Sequence, residues 1–157
     1  MANKFTRIEI APDAVYDNLT VAKLINQIMR RGKKSAARQI VYGAFEIIKK
    51  QTNQEPVDVL ENALKAVGPM VEVRPRRVGG ATYQVPIEVS EKRKMSLAMR
   101  WIIDASRAKK GQAMKDRLAN ELMQSAKNEG EAIKKRVNVE RMAAANKAFA
   151  HLARRRG

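Results

Sequence analysis

The sequence contains no cysteine. That excludes disulfides, thiolate metal sites and cysteine nucleophiles. Histidine occurs once, as His151 near the end of the chain. A lone imidazole in the last turns of a helix is a favourable positive charge there rather than a catalytic base. Aromatic residues are scarce, with three Phe, three Tyr and one Trp. A reader of single strands, which stacks successive bases on exposed rings, needs more. No apolar run approaches the roughly 18–20 residues required to cross a bilayer. The N-terminus lacks the apolar block of a signal peptide, so a soluble, cytoplasmic protein is expected. The glycine patterns that cradle nucleotide phosphates are missing. Asp13 and Asp17 lie close together, but nothing beside them completes an acid–base pair or a metal site. The expectation is a protein with no enzymatic chemistry, no metal and no cofactor.

What the sequence has in excess is positive charge. Lys and Arg number 32 against 16 Asp and Glu, a net +16, with a pI near 10.5. An imbalance of this size calls for a partner that supplies negative charge, and nucleic acid and anionic membrane are the common ones. Apolar residues make up 45% of the 157, enough for a core and too many for wholesale disorder. The length suits one domain.

Periodicity divides the chain into helices and one arm. Residues 1–17 carry turn-forming Pro12, Asp13 and Asp17 and no regular pattern. Val21, Leu24, Ile25 and Ile28 then recur at helical spacing, with Thr20 or Asn18 as cap and Gly32 as the stop. A second helix starts at Ser35 with an apolar face through Ile40, Phe45 and Ile48. Pro56 opens a third, since proline fits the first turn, and Gly68-Pro69 closes it. The period then drops to two around Gly79-Gly80. This predicts an exposed β-hairpin over 72–89, in which Pro75 and Pro86 are tolerable because no third strand needs their missing N–H groups. Ser90 caps a fourth helix that ends at Gly111. A fifth carries Met114, Leu118 and Leu122 up to Gly130. A sixth runs from Glu131 to about Ala153, with Ile133, Val137, Met142 and Phe149 on its apolar face. The predicted fold is all-α dominated, a six-helix bundle with one extended β-hairpin arm between helices 3 and 4, followed by a basic tail at 154–157.

The charge is localised. Residues 23–50 hold eight basic residues against one acid, residues 51–73 one against four, and residues 74–117 twelve against four. The turn Arg30-Arg31-Gly32-Lys33-Lys34, followed by Arg38, points cations and a helix N-terminus at one spot, which suits phosphate. The arm carries Arg74, Arg76 and Arg77 beside Val78, Gly79 and Gly80. Arginine forks match phosphates and base edges there. Lys92-Arg93-Lys94, then Arg100, Arg107, Lys109, Lys110, Lys115 and Arg117, make a further group. Lys134-Lys135-Arg136 and the terminal arginines complete the set. Tyr83 is the one ring placed to stack on a ligand. Phe45 and Phe149 read as core, and Trp101 as partly core. Shape and backbone recognition of a folded RNA fits this composition. An architectural DNA-binding protein gripping a minor groove is the second reading. A membrane-surface helix is the third, weakened by six apolar stripes that suit mutual burial.

Taken in order, Asp17-Asn18-Leu19, Leu24-Ile25, Gly32-Lys33-Lys34 and Ile40-Val41 with Ala44 form a familiar series. Glu72-Val73-Arg74, then Arg76 through Pro86, Arg100-Trp101, Leu118-Ala119-Asn120-Glu121-Leu122 and the stretch from Ala132 to His151 continue it. Together they resemble the signature of ribosomal protein S-seven, the seventh protein of the small ribosomal subunit, over residues 12–151. The resemblance implies six helices with an extended hairpin, and binding to the 3′ major domain of small-subunit ribosomal RNA. It also implies initiation of head assembly and a hairpin near the exit-site transfer RNA and the messenger path. It assigns RNA contact to Arg30, Arg31, Lys33, Lys34, Arg38, Arg107, Lys109 and Lys110, and the distribution of charge adds Lys4, Arg7 and Lys115 as expected contacts. It assigns proximity to transfer and messenger RNA to Arg76, Arg77, Val78, Gly79, Gly80 and Tyr83, and Arg74 on the same arm is expected to join them. The last helix is expected beside a protein of the S-eleven family, with other head proteins near. No membrane partner is implied. Two stretches depart from the family pattern. Only Lys4 and Arg7 precede Glu9 where family members often carry an arginine run, and Leu152 to Gly157 replaces an aromatic-rich end.

Overall fold

The computed structural model describes residues 7–154. Six α-helices, one 3₁₀ helix and one hairpin make up its regular structure among the described residues. They are α1 (Leu19–Ile28), α2 (Lys34–Thr52), α3 (Pro56–Val67), β1 (Val71–Val78), β2 (Ala81–Glu88), α4 (Glu91–Ala108), α5 (Met114–Ala126), α6 (Glu131–Ala145) and a terminal 3₁₀ helix (Lys147–Arg154). The bundle with an arm between its third and fourth helices is the predicted architecture. The predicted sixth helix is shorter, because it stops at Ala145 and the chain continues in the tighter 3₁₀ winding.

Local chemistry starts and stops these elements. Of the two candidate caps for α1, Asn18 does the work, its Oδ1 accepting the N–H groups of Thr20 at 2.8 Å and Val21 at 3.1 Å. Ser90 stands at the N-cap of α4, yet only its backbone carbonyl is used and its hydroxyl makes no capping bond. The hairpin pairs Val71 with Glu88 through Val78 with Ala81. Gly79 and Gly80 both have positive φ, +57° and +86°. That is the double left-handed requirement of a two-residue turn matched to strand twist, and it is why glycine stands at both places.

The apolar stripes meet around α5, which packs against α2, α3 and α4 and touches α6. Leu118 and Leu122 of α5 lie with Leu24, Val41, Phe45, Leu60, Met99 and Ile102 in one fully buried cluster. Phe45 is core, as predicted, and Trp101 packs half-buried against it. α6 buries little besides Ala132, Ile133 and Ala143. Val137 and Met142, expected on its buried face, are about half exposed at 49% and 48%.

In the middle of this packing sits a carboxylate. Glu121 on α5 is fully buried. Its Oε2 accepts from Lys109 Nζ at 2.8 Å, and its Oε1 accepts the backbone N–H of Ala132 at 2.9 Å. One side chain thereby joins the exit of α4 to the entry of α6. A Cβ on Gly130 would stand 2.9 Å from Oε1, so the residue before α6 has to be glycine for the carboxylate to come this close. Arg117, a turn earlier on α5, donates Nη1 to the carbonyls of Arg107 and Lys109 and so closes the end of α4.

A second polar anchor holds the N-terminal segment. Asp13 is buried and accepts the Tyr42 hydroxyl at 2.6 Å and the N–H groups of Val15 and Tyr16, both at 3.0 Å. Burial alone would raise its pKa. The bond from Tyr42, the two backbone bonds and Arg38 outweigh burial and hold it below the usual carboxylate range. Burial, and then the bond to Asp13, push the Tyr42 hydroxyl up to about 12.

Two predictions follow from these anchors. Lys109→Met leaves the Glu121 carboxylate buried without a counter-charge and should cost about 3 kcal/mol in urea denaturation, the lower end for a broken buried pair. Lys110→Met, at an exposed neighbour, should change stability by less than about 0.5 kcal/mol. The Tyr42–Asp13 bond favours the neutral phenol, so its contribution should be complete below about pH 10. It should fade as pH rises toward about 12. The carboxylate side behaves oppositely: present above about pH 4 and lost in more acid solution. A pH series of melting temperatures, with Tyr42→Phe flattening the alkaline limb, checks both signs.

Candidate nucleic-acid interface

The turn between α1 and α2 is built from two successive left-handed residues, Arg31 at φ 52° and Gly32 at φ 70°. Arg30, Arg31, Lys33 and Lys34 all project from it exposed, and Arg38 is exposed one turn into α2. No side chain caps α2 and no acid stands in its first turn. The positive end of the helix dipole therefore adds to the cations of the turn instead of being neutralised by the chain itself.

This turn abuts the end of α4. Arg107 donates Nη2 to the Ile28 carbonyl at 3.0 Å, satisfying the last turn of α1. Burial first, and Arg30 second, lower its pKa, so the two guanidinium groups stand close enough to feel each other. Between them lies a cleft of about 280 Å³, with Arg30, Lys33 and Arg107 at its rim, Arg117 at its back, and Met29, Ala37, Ile40 and Met114 lining the rest. A shallower depression continues from Arg107 to Arg100, Asp104 and Gln27. On the other side, Lys34 and Arg38 face the N-terminal segment across a groove walled by residues 8–14. The cations form one belt from α4, over the α1–α2 turn, to the N-terminal segment.

The predicted RNA-contacting residues do not all do the same work. Arg30, Arg31, Lys33, Lys34, Arg38, Lys110 and Lys115 are exposed, and the stem of Lys115 lies against Gly43 of α2. Arg107 is shared between the cleft and the carbonyl of Ile28. Lys109 has its ammonium on the buried Glu121, so its charge stabilises the bundle. Arg7 is exposed at the start of the described residues, and Lys4 lies outside them. Arg117, grouped with the surface cations in the sequence reading, is a structural arginine at the back of the cleft, bonded to the end of α4.

The arm is anchored at its root and along one flank. Glu72, buried, accepts from Arg93 Nε at 2.6 Å and Nη2 at 2.9 Å and from Arg74 Nε at 2.8 Å. The Arg93 bonds hold its carboxyl below the usual range; burial opposes them and Arg74 adds to the lowering. Arg76 and Tyr83 face each other across the strands. The terminal 3₁₀ helix covers both. Arg76 Nη1 donates to the Leu152 carbonyl at 3.2 Å, and the Tyr83 and Phe149 rings are 5.1 Å apart. Phe149, expected in the bundle core, is therefore a half-buried partner of the arm. Tyr83, expected to stack on a ligand, already has a ring against it. Arg77 and Arg74 are exposed, as are Gly79 and Gly80 at the tip, with Val78 half-buried beside them.

Among the described residues no cluster of acids and His is arranged to hold a metal ion, and no helix is long and apolar enough to cross a membrane.

A family model described as ribosomal protein S7p/S5e matches residues 2–147. The chain is 58% identical over 145 residues to the small ribosomal subunit protein uS7 of Thermotoga neapolitana, covering 92% of this chain and 94% of that one. It is 60% identical over 143 residues to the protein of the same name from Dictyoglomus thermophilum, covering 91% and 92%. The corresponding protein of Caldicellulosiruptor saccharolyticus is 56% identical over 144 residues, covering 91% and 92%.

The packing of the arm yields a prediction. Phe149→Ala should release the terminal 3₁₀ helix from Tyr83 and accelerate amide exchange in residues 147–153, while the melting temperature of the bundle stays nearly unchanged. Exchange mass spectrometry checks it, and unaltered protection there would mean that the Tyr83 contact does not hold the segment.

Proposed function

The chain belongs to the ribosomal protein S7p/S5e family, a structural component of the small ribosomal subunit, and we propose that it binds the 3′ major domain of the subunit's ribosomal RNA and initiates assembly of the head. The observation that carries this reading is the belt of exposed cations around the α1–α2 turn, set against an α3 whose exposed face bears Asp58. A folded RNA presents closely spaced phosphates, and neutralising several of them from one face yields affinity with steep salt dependence. The rigid bundle beneath fixes the spacing of the cations, which is how shape rather than sequence is recognised.

The arm has a second role in this reading. It lies near the exit-site transfer RNA and the messenger path, where Arg74, Arg76, Arg77 and the Val78-Gly79-Gly80 tip meet RNA that comes and goes. Tip residues without bulky side chains suit approach to a backbone better than wedging between bases, which favours RNA over the minor-groove alternative. The exposed Val137 and Met142 of α6 supply apolar area for a protein neighbour of the S-eleven family, and other head proteins adjoin.

Replacing Lys33 and Lys34 by Glu should weaken binding to small-subunit ribosomal RNA and reduce the slope of log affinity against log salt by about 0.7–0.9 for each lost phosphate contact. Arg77→Ala should leave that affinity largely intact; Arg77 is the cleaner probe of the arm because Arg76 also bonds the terminal helix. Filter binding across a salt series, with duplex DNA as competitor and a hydroxyl-radical footprint, makes the test. Equal affinity for the duplex, or no protected region in the 3′ major domain, would sink the proposal.

A further inference from the structure

The cleft between the α1–α2 turn and the end of α4 is not shaped like a plain phosphate seat. A surface that only neutralises phosphate needs cations and water. Here the cations stand on the rim, and the floor is apolar, with the thioether side chains of Met29 and Met114 partly buried against the core. The volume, about 280 Å³, falls at the lower edge of the ~300–1,000 Å³ typical of small-ligand sites. It suits one ring system and is too small for a duplex groove. Resting on the reading of the chain as an RNA-binding protein, we propose that this cleft receives a single unstacked nucleobase, with the phosphates on either side of it held by Arg30 and Lys33.

The chemistry of the walls fits an inserted base. RNA is read where bases leave the stack and lie on aromatic or guanidinium planes. Aromatic rings are missing from this cleft, but Arg107 and Arg117 present guanidinium groups. Arg107 is fixed on the Ile28 carbonyl at 3.0 Å, and Arg117 on the carbonyls of Arg107 and Lys109. Fixed guanidinium planes stack on a ring with little further loss of freedom. Polarizable sulfur at a ring edge is attractive as well. An apolar floor repels a solvated phosphate and favours a desolvated ring, and the rim does the reverse. Each part of the nucleotide therefore has its own place.

The test separates ring from phosphate. Met29→Ala with Met114→Ala removes the floor and changes no charge. Ala36→Trp fills the cleft from an exposed position on α2 and disturbs no buried side chain. Both should lower affinity for small-subunit ribosomal RNA by about ten- to a hundred-fold, the scale of one lost stacking contact, with the salt slope unchanged. Both should also expose to base-specific methylation one nucleotide that the unaltered protein protects. If Ala36→Trp binds as tightly as the unaltered protein, or if the two variants reduce the salt slope as the Lys33 substitution does, the cleft is a phosphate site and the proposal is overturned. If the unaltered protein fails to bind the RNA at all, it is the broader reading that has failed, which the same titration shows directly.

Discussion

The structure turns on a carboxylate placed where it ought to be unfavourable. Glu121 lies in the middle of the helix that touches most of the others, fully out of water. A charge there is tolerable only when both its oxygens are occupied. Lys109 occupies one and the N–H of Ala132 the other. Because these partners come from the end of α4 and the start of α6, satisfying the carboxylate fixes both chain directions relative to α5. The apolar stripes could pack in several registers; this pair admits one. Arg117 reinforces the choice by closing the carbonyl end of α4 from the same helix.

That constraint sorts the protein's abundant cations into two kinds. One kind is turned inward against oxygen atoms of the chain itself: Lys109 on Glu121, Arg107 on the Ile28 carbonyl, Arg117 on the end of α4, Arg93 on Glu72, and Arg136 on the Ala66 carbonyl at 2.5 Å. They hold loops and helix ends in place. The other kind, from Arg30 to Arg38 and at Lys110, stands in solvent on the framework the first kind secures. Self-repulsion among so many like charges would favour expansion of the chain. Committing part of the excess to internal acceptors lessens that cost and fixes the loops and helix ends that carry the remaining surface cations.

The arm follows the same logic at a smaller scale. Its root is held by the Glu72 pairs and its flank by the terminal 3₁₀ helix, so it projects as a supported lever and not as a loose ribbon. An isolated two-stranded hairpin is marginal in water. The Tyr83–Phe149 contact and the bond from Arg76 to the Leu152 carbonyl supply the third layer that two strands lack. The exposed tip then keeps its reach while the middle of the arm stays ordered.

Much of this could be read in the sequence because it depends on local rules. Helical spacing of Val21, Leu24 and Ile28, or of Leu118 and Leu122, is decided within a few turns. A glycine pair between alternating residues specifies a hairpin with no help from the rest of the chain. The clustering of Arg30 to Lys34 is visible as a run of letters, and the structure leaves those cations exposed in one belt. What sequence reading missed depends on partners distant along the chain. Lys109 and Lys110 are neighbours of identical chemistry, yet one reaches in to pair with the buried Glu121 and the other stays a surface charge, because only one of them faces Glu121 in the folded chain. Phe149 and Tyr83 each looked like what an isolated aromatic usually is, until the break after Ala145 laid one against the other. Short-range periodicity and composition determined the elements, the arm and the kind of partner. Which cations are free to meet that partner was decided by burial and pairing in three dimensions, because a charge takes whichever counter-group the folded chain brings within reach.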